Sequence, residues 1–340
     1  MRRAFFGLVV VVIGLWCAAS TRAVPVPGVD IDMLTADSTL IIVGEVTSVQ
    51  DLGRTTIRAG ARSISASEMT ATVRVDRVLK QSPTGPTSSI RFHFARPDEF
   101  VGWGAVNPLS YGMFFLVDEH GELNLTSPYQ PSLPASPDAN VKGGTPIERV
   151  TGELGAILES STASAQQRQS IVYLLSTSND PSALAVLRPF ANVSDVSLRL
   201  SVAAALLEHN DISTLQFARD NLLNPNPKIT PNLLHNLTYA IFMGVKDERA
   251  VPSLTQLLRA RNTEARQAAA SALMHTDSNS AIKPLLSVLN DPDFKVRYYS
   301  IEGLAKITGQ DEWQANMEGF KSDESKYLNH WKDWAASNAQ

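Results

Sequence analysis

Apolar residues keep two different rhythms along this chain, and the change falls between residues 127 and 148. Before it they stand in short blocks or alternate with polar residues. After it they recur at steps of three and four. Leu40-Ile41-Ile42-Val43 is an unbroken block that continues through Val46 and Val49, which predicts a buried strand. Ala71, Val73 and Val75 alternate with Thr72, Arg74 and Asp76, and Ile90, Phe92 and Phe94 alternate with Arg91 and His93. Met113 to Val117 is another apolar run, and Glu122 to Thr126 closes a hairpin across Asp118 to Gly121. Five short strands separated by turn residues predict a small antiparallel barrel or sandwich. Met33 to Ser38 adds a helical turn ahead of the first strand, and a long polar excursion separates the first strand from the second.

From Glu148 onward the pattern predicts helices in pairs. First helices fall near 149–159, 182–190, 214–223, 250–259 and 281–289, second helices near 165–176, 195–208, 230–243, 264–274 and 294–307. Asp180, Asp211, Asp247 and Asp277 stand in the turns, placed to cap the helix that follows. Pro252 and Pro284 sit in first turns, where a missing N–H costs little. Four second helices carry an arginine seven residues before a leucine: Arg168, Arg199, Arg266 and Arg297. These arginines lie 31, 67 and 31 residues apart, and 67 is two repeats of about 33. A module of that length cannot bury its own apolar face and must stack on its neighbours, which predicts an α-solenoid. Recurrence at one position marks the arginines as a structural ladder, each guanidinium reaching carboxylates and carbonyls of adjoining turns. The alternative is a row of ligand contacts.

The segments Ala250-Val251-Pro252-Ser253-Leu254 with Glu264-Ala265-Arg266, and Ala281-Ile282-Lys283-Pro284-Leu285 with Asp291-Pro292-Asp293-Phe294-Lys295-Val296-Arg297, resemble HEAT repeats of the short bacterial form. The resemblance covers about 160 residues. The third unit departs from it, with Leu234 where the arginine belongs and a longer Asn224-Pro225-Asn226-Pro227 link that predicts a local bend. The earlier order, Gly44-Glu45-Val46, then Ala71 to Lys80, then Tyr111 to Val117, resembles the OB-like β domains at the front of exported bacterial proteins. HEAT resemblance implies a surface for protein or peptide partners, lined by the second helices. In the fifth of those helices Val296, Ser300, Leu304 and Ile307 share the core side, leaving Tyr298 and Glu302 outward. Equivalent positions are Gln267 and Ser271, His235 and Tyr239, and Gln169 and Tyr173, interrupted by apolar Leu200 and Ala204. We read Tyr173, His235, Tyr239, Gln267, Tyr298 and Glu302 as the candidate binding row.

The first residues change the cellular picture. Arg2 and Arg3, the apolar run Ala4 to Cys17, and Thr21-Arg22-Ala23 have the layout of a cleaved secretory leader. Its removal takes the single cysteine, leaving no thiol for disulfides, nucleophilic attack or metal binding. It also takes three arginines and no acid, so 27 Lys and Arg face 34 Asp and Glu in the remainder. That balance, with no basic block, argues against nucleic acid or anionic lipid as partner. No later run is long and apolar enough to span a bilayer. The expected organisation is a leader at 1–23, a β domain at 24–127, a Pro/Gly-rich linker at 128–147, a solenoid of about five helix pairs at 148–310 and an aromatic cap at 311–340. Pro128, Pro131, Pro134 and Pro137 recur every third residue, the period of polyproline II, and suggest a stiff spacer with few contacts. Trp313, Phe320, Tyr327, Trp331 and Trp334 suit a terminal repeat that has no neighbour to cover it.

Catalytic signatures are not evident. The chain has no G-x-S-x-G, H-E-x-x-H, P-loop or dinucleotide fingerprint, and no cofactor is called for. Asp118-Glu119-His120-Gly121-Glu122 could hold a hard cation, or simply form a solvated turn. Phe100, Trp103, Tyr111 and Tyr129 around the loop Arg96 to Gly112 offer rings on which sugars could stack. The expectation is therefore a non-enzymatic scaffold or adaptor in the cell envelope. A carbohydrate- or polymer-binding β domain is one rival, and an enzyme with an unrecognised site at the domain junction is another.

Overall fold

The computed structural model describes residues 30–59, 61–81, 88–99 and 103–338. The leader at 1–23 and Phe100 lie outside the described residues. Helix α1 (Ile31–Asp37) precedes strands β1 (Leu40–Ala59), β2 (Arg62–Lys80), β3 (Ser89–Pro97), β4 (Tyr111–Glu119) and β5 (Glu122–Leu125). Pairing is antiparallel except for one parallel contact, His93 with Asn124. The order β1-β2-β3-β5-β4 returns to β1 through Leu40 opposite Leu116, so the sheet closes on itself.

Two of the strands are twice as long as their apolar stretches suggest. The polar excursion after Val49 is a continuation of pairing, a two-stranded ribbon in which Ile57 faces Ile64 and Ala59 faces Arg62. Backbone hydrogen bonds supply this ribbon, so few apolar side chains announce it. It is tied at its flank, where Arg54 pairs with Asp98 and Arg62 with Glu99.

The unbroken apolar blocks have a plain cause: they are covered on both faces. Leu40, Ile42, Phe114 and Leu116 point into the closed sheet with Val73, Ile90 and Phe92. Ile41, Val43, Met113 and Phe115 point outward, into a second core shared with Val150, Leu154, Leu158 and Leu175 of the helical region. The alternating strands β2 and β3, by contrast, expose every other residue over much of their length.

This shared core corrects the expectation of an independent linker. Residues 128–145 contain no helix or strand, but Leu133 is fully buried and exchanges two backbone hydrogen bonds with Met113, at 2.8 and 2.9 Å. Pro131 lies so close to Gly104 that a Cβ there would stand 2.3 Å from the ring. Across the same junction Arg77 grips the fully buried carboxylate of Glu153, at 2.7 and 2.9 Å, and the carbonyls of Ser136 and Pro137. Arg149 donates to the Leu79 carbonyl, and Asp32 of α1 accepts from Ser178 and from the Asn179 backbone. The proline segment is a strap built into the interface.

The helical pairs follow as α2 (Pro146–Glu159) and α3 (Ala165–Ser176), α4 (Pro181–Leu187) and α5 (Val196–Glu208), α6 (Leu215–Leu223) and α7 (Pro231–Gly244), α8 (Val251–Leu257) and α9 (Thr263–His275), and α10 (Ile282–Leu286) and α11 (Phe294–Thr308). Short 3-10 turns precede or prolong several first helices. Asp180, Asp211 and Asp247 cap as expected, each accepting a backbone N–H two residues on. Asp277 does not: its φ is 50°, it pairs with Lys306 at 2.7 Å, and Ser278 is the cap instead.

Helices α12 (Met317–Ser322) and α13 (Glu324–Ser337) close the end. Phe320 and Trp331 are fully buried in the core of the last units, with Phe320 against Phe294, Tyr298 and Tyr327. The aromatics therefore serve as cover for the terminal repeat.

Candidate functional site

The second helices stack in sequence, α3 on α5, α5 on α7, α7 on α9 and α9 on α11. Small residues set this layer. Gly244 passes so close to α5 that a Cβ would stand 2.0 Å from the Leu207 carbonyl oxygen. In α9 the run Ala268-Ala269-Ala270 is buried throughout. Phe242 of α7 and Tyr299 of α11 meet edge to face at 5.4 Å.

Over α3, α5 and α7 the layer carries a groove with a volume of about 570 Å³. Tyr173 of α3 and Tyr239 of α7 line it from either side of α5, and they are among the most exposed large hydrophobic residues of the described part, at 61% and 52%. Its floor includes Ala204 and Ala205, with Ser197 and Ser201 beside them. The amide groups of Gln169, Asn232 and Asn236 also line it, and no hydrogen bond among the described residues engages their side chains. At one end Glu208 has its carboxyl pKa raised by desolvation. A groove with two exposed phenol rings, uncommitted amides and a small apolar floor matches the composition of protein recognition sites.

The predicted row divides here. Gln169, Tyr173, Ala204 and Tyr239 come together in this groove. Leu200 is fully buried in the solenoid core. His235 is exposed but hydrogen-bonded to Glu264 of α9 at 3.1 Å. Gln267 is committed to Asp293, and Ser271 is buried with no partner for its hydroxyl among the described residues. The last two members are half-buried and engaged within the chain. Tyr298 packs against Phe320, 5.7 Å between centroids, and Glu302 accepts the Ala315 N–H at 2.7 Å. Burial raises the Glu302 pKa, and the backbone donor offsets part of that rise. A repeat offset treats each unit alike and carries no information about the capping segment that folds over the last one.

The arginines sit where the repeat puts them, against the turn ahead of their own helix. Arg168 donates to the Ser160 carbonyl at 2.7 Å, Arg199 to Ala191 at 2.9 Å, Arg266 to Ala260 at 3.0 Å and Arg297 to Asp291 at 2.6 Å. Arg266 and Arg297 also meet acids, Asp291 and Glu324. Leu234, at the equivalent position in the third unit, packs on the apolar core.

The other candidates lie on or beside the closed sheet. Asp118 and Glu119 end β4, Glu122 opens β5, and His120-Gly121 turn between them, with Asp118 accepting the Gly121 N–H and His120 at a φ of 60°. Among the described residues no three His, Cys, Asp or Glu side chains converge as metal ligands would. Trp103 and Tyr129 pack edge to face at 6.3 Å, and Tyr111 is half-buried in the shared core.

The comparisons bear on the helical part. HEAT repeats match residues 239–331, from within α7 to Trp331, so this stretch is a HEAT-like helical region. Among solved structures, an engineered protein studied by a structural-genomics consortium aligns over 46% of this chain and 80% of its own, with 16% identity and a TM-score of 0.33. No curated protein matches. No helix among the described residues is long and apolar enough to cross a membrane.

Proposed function

We propose that this protein is a non-enzymatic scaffold that holds a peptide segment of a partner protein in the groove over α3, α5 and α7. One observation carries the reading: Tyr173 and Tyr239, from helices separated by another, line one groove with side-chain amides around them that no hydrogen bond among the described residues engages. Aromatic rings supply large contact area at low entropic cost, and amides pair with a peptide backbone. The HEAT match supports a protein-interaction role at the coarser level. We further read the closed five-stranded sheet as OB-like, on its order β1-β2-β3-β5-β4 with a parallel β3–β5 contact. Export rests on the leader pattern at 1–23, and N-terminal sequencing that begins near Val24 is the expected result.

The test is selection of random displayed peptides on the mature protein and on the double variant Tyr173→Ala with Tyr239→Ala. Both tyrosines are exposed, so melting should be unchanged while the selected peptides lose affinity tenfold or more, in line with truncated hot-spot aromatics. Equal binding of the same peptides by both proteins would remove the groove as the site.

A further inference from the structure

In the fourth and fifth units the ladder arginine meets an acid of the chain itself. Arg266 takes Asp291 with two bonds of 2.8 and 3.2 Å, and Arg297 takes Glu324. Arg199, at the same position of the second unit, meets none among the described residues. Its Nε donates to the Ala191 carbonyl at 2.9 Å, one Nη reaches Asn192 only at 3.5 Å, and its face lies 3.8 Å over the ring of Phe217. Stacking covers the face of a guanidinium and leaves its edges free, here the Nη groups not taken by Ala191. Those donors border a cavity of about 280 Å³ between the turns at Arg188–Asn192 and Ile212–Thr214. A second guanidinium, Arg188, lines the same cavity and is held by Asp211 through its Nε at 2.8 Å. The cavity thus has two guanidinium groups against one carboxylate.

We infer that this cavity is a binding site for a carboxylate group, with Arg199 as the planar fork that receives it and Arg188 as the second positive charge. A guanidinium edge matches the two coplanar oxygens of a carboxylate: Arg266 uses its Nε–Nη edge on Asp291, and at Arg199, whose Nε is given to Ala191, the outer edge between the two Nη groups remains. Arg168 also lacks an acid, but the groove lined by Ser160 and Ser164 next to it contains no cation. The site shares no lining residue with the tyrosine groove, so either can fail alone.

The experiment titrates the mature chain, labelled with nitrogen-15 arginine, with sodium acetate against sodium chloride at matched ionic strength. A saturable shift of the Arg199 Nη–H resonances with acetate, absent with chloride, is expected. Asp211→Asn should tighten acetate binding at least threefold, because asparagine retains the cap on Ser213 while Arg188 is released from its internal acid. Arg188→Gln should weaken it at least threefold with Arg199 left in place. Shifts that follow ionic strength equally in both salts, or an Asp211→Asn variant no tighter than the parent, would overturn the site. Inorganic phosphate binding tenfold more tightly than acetate would overturn the carboxylate assignment. Short peptides with a free C-terminus, an amidated C-terminus, or an internal glutamate then separate terminal from side-chain carboxylates by competition with acetate.

Discussion

Arg266 and Leu234 hold the same position of the repeat, and their surroundings explain why the two are not interchangeable. Leu234 lies on the apolar core with no acid to satisfy. Arg266 is paired with Asp291, and the two side chains are only 12% and 7% exposed. Removing one partner of such a pair strands the other charge, which costs about 3–5 kcal/mol, more than the pair itself contributes. Arg266→Met is therefore expected to lower stability by about 3 kcal/mol in urea unfolding. Arg199→Met, which strands no acid, should cost about 1 kcal/mol, the scale of one lost hydrogen bond. Adding Asp291→Asn to Arg266→Met should recover part of the loss. Equal costs for Arg266→Met and Arg199→Met would show that the buried acid is not what separates them. The arginine position was legible from its 31-residue spacing. Its partner was not, because Asp291 and Glu324 belong to later turns whose approach depends on stacking.

Element by element, sequence period served where one face is buried and failed where both or neither are. Helix α3 spans 165–176 as read, and the other second helices differ by a residue or two at their ends. The ribbon of β1 and β2 escaped notice because its side chains are mostly exposed and carry no apolar period. Helix α5 shows the opposite case. Leu198, Val202, Ala205 and Leu206 enter the core shared with the β strands, while Leu200, Ala203, Ala204 and Leu207 enter the solenoid core. Its apolar residues therefore surround the axis and define no single outward row, which is why the predicted row breaks at Leu200 and Ala204. The close pass of α5 and α7 depends on Gly244, where a Cβ would meet the backbone of Leu207 and Glu208 at 2.0 to 2.6 Å. In an isolated helix Gly→Ala gains up to about 1 kcal/mol. Here backbone must shift, and overpacking of that kind costs about 1–3 kcal/mol or more. Gly244→Ala is expected to destabilise by a net ~2 kcal/mol, read by thermal unfolding. A stabilised variant would mean that the two helices can part freely.

For the molecule as a whole, the cores fall elsewhere than the composition of the chain suggests. Prolines and glycines at 128–147 look like a boundary, yet the shared core runs from Ile31 to Leu206 and includes Leu133 within that segment. The seam between the two large cores is α5, which contributes to both. The unit that unfolds together should then be the closed sheet with α2 to α5, and not the sheet alone. Hydrogen exchange tests this directly. In the intact chain the amides of β1 and β4 should exchange together with those of α2 and α3 as one cooperative group. A fragment beginning at Pro146 lacks Ile41, Val43, Met113, Phe115 and Leu133, which cover α2 in the intact protein. Helices α2 to α4 should lose protection in that fragment, whereas α9 to α13, whose core is complete without the strands, should keep it. Leu133→Ala in the full chain, at a cost of about 2–5 kcal/mol for a buried leucine, should raise exchange on both sides of the strap at once. If the fragment protects α2 to α4 as well as the intact chain does, the strap is a linker after all and the two regions are separate folding units.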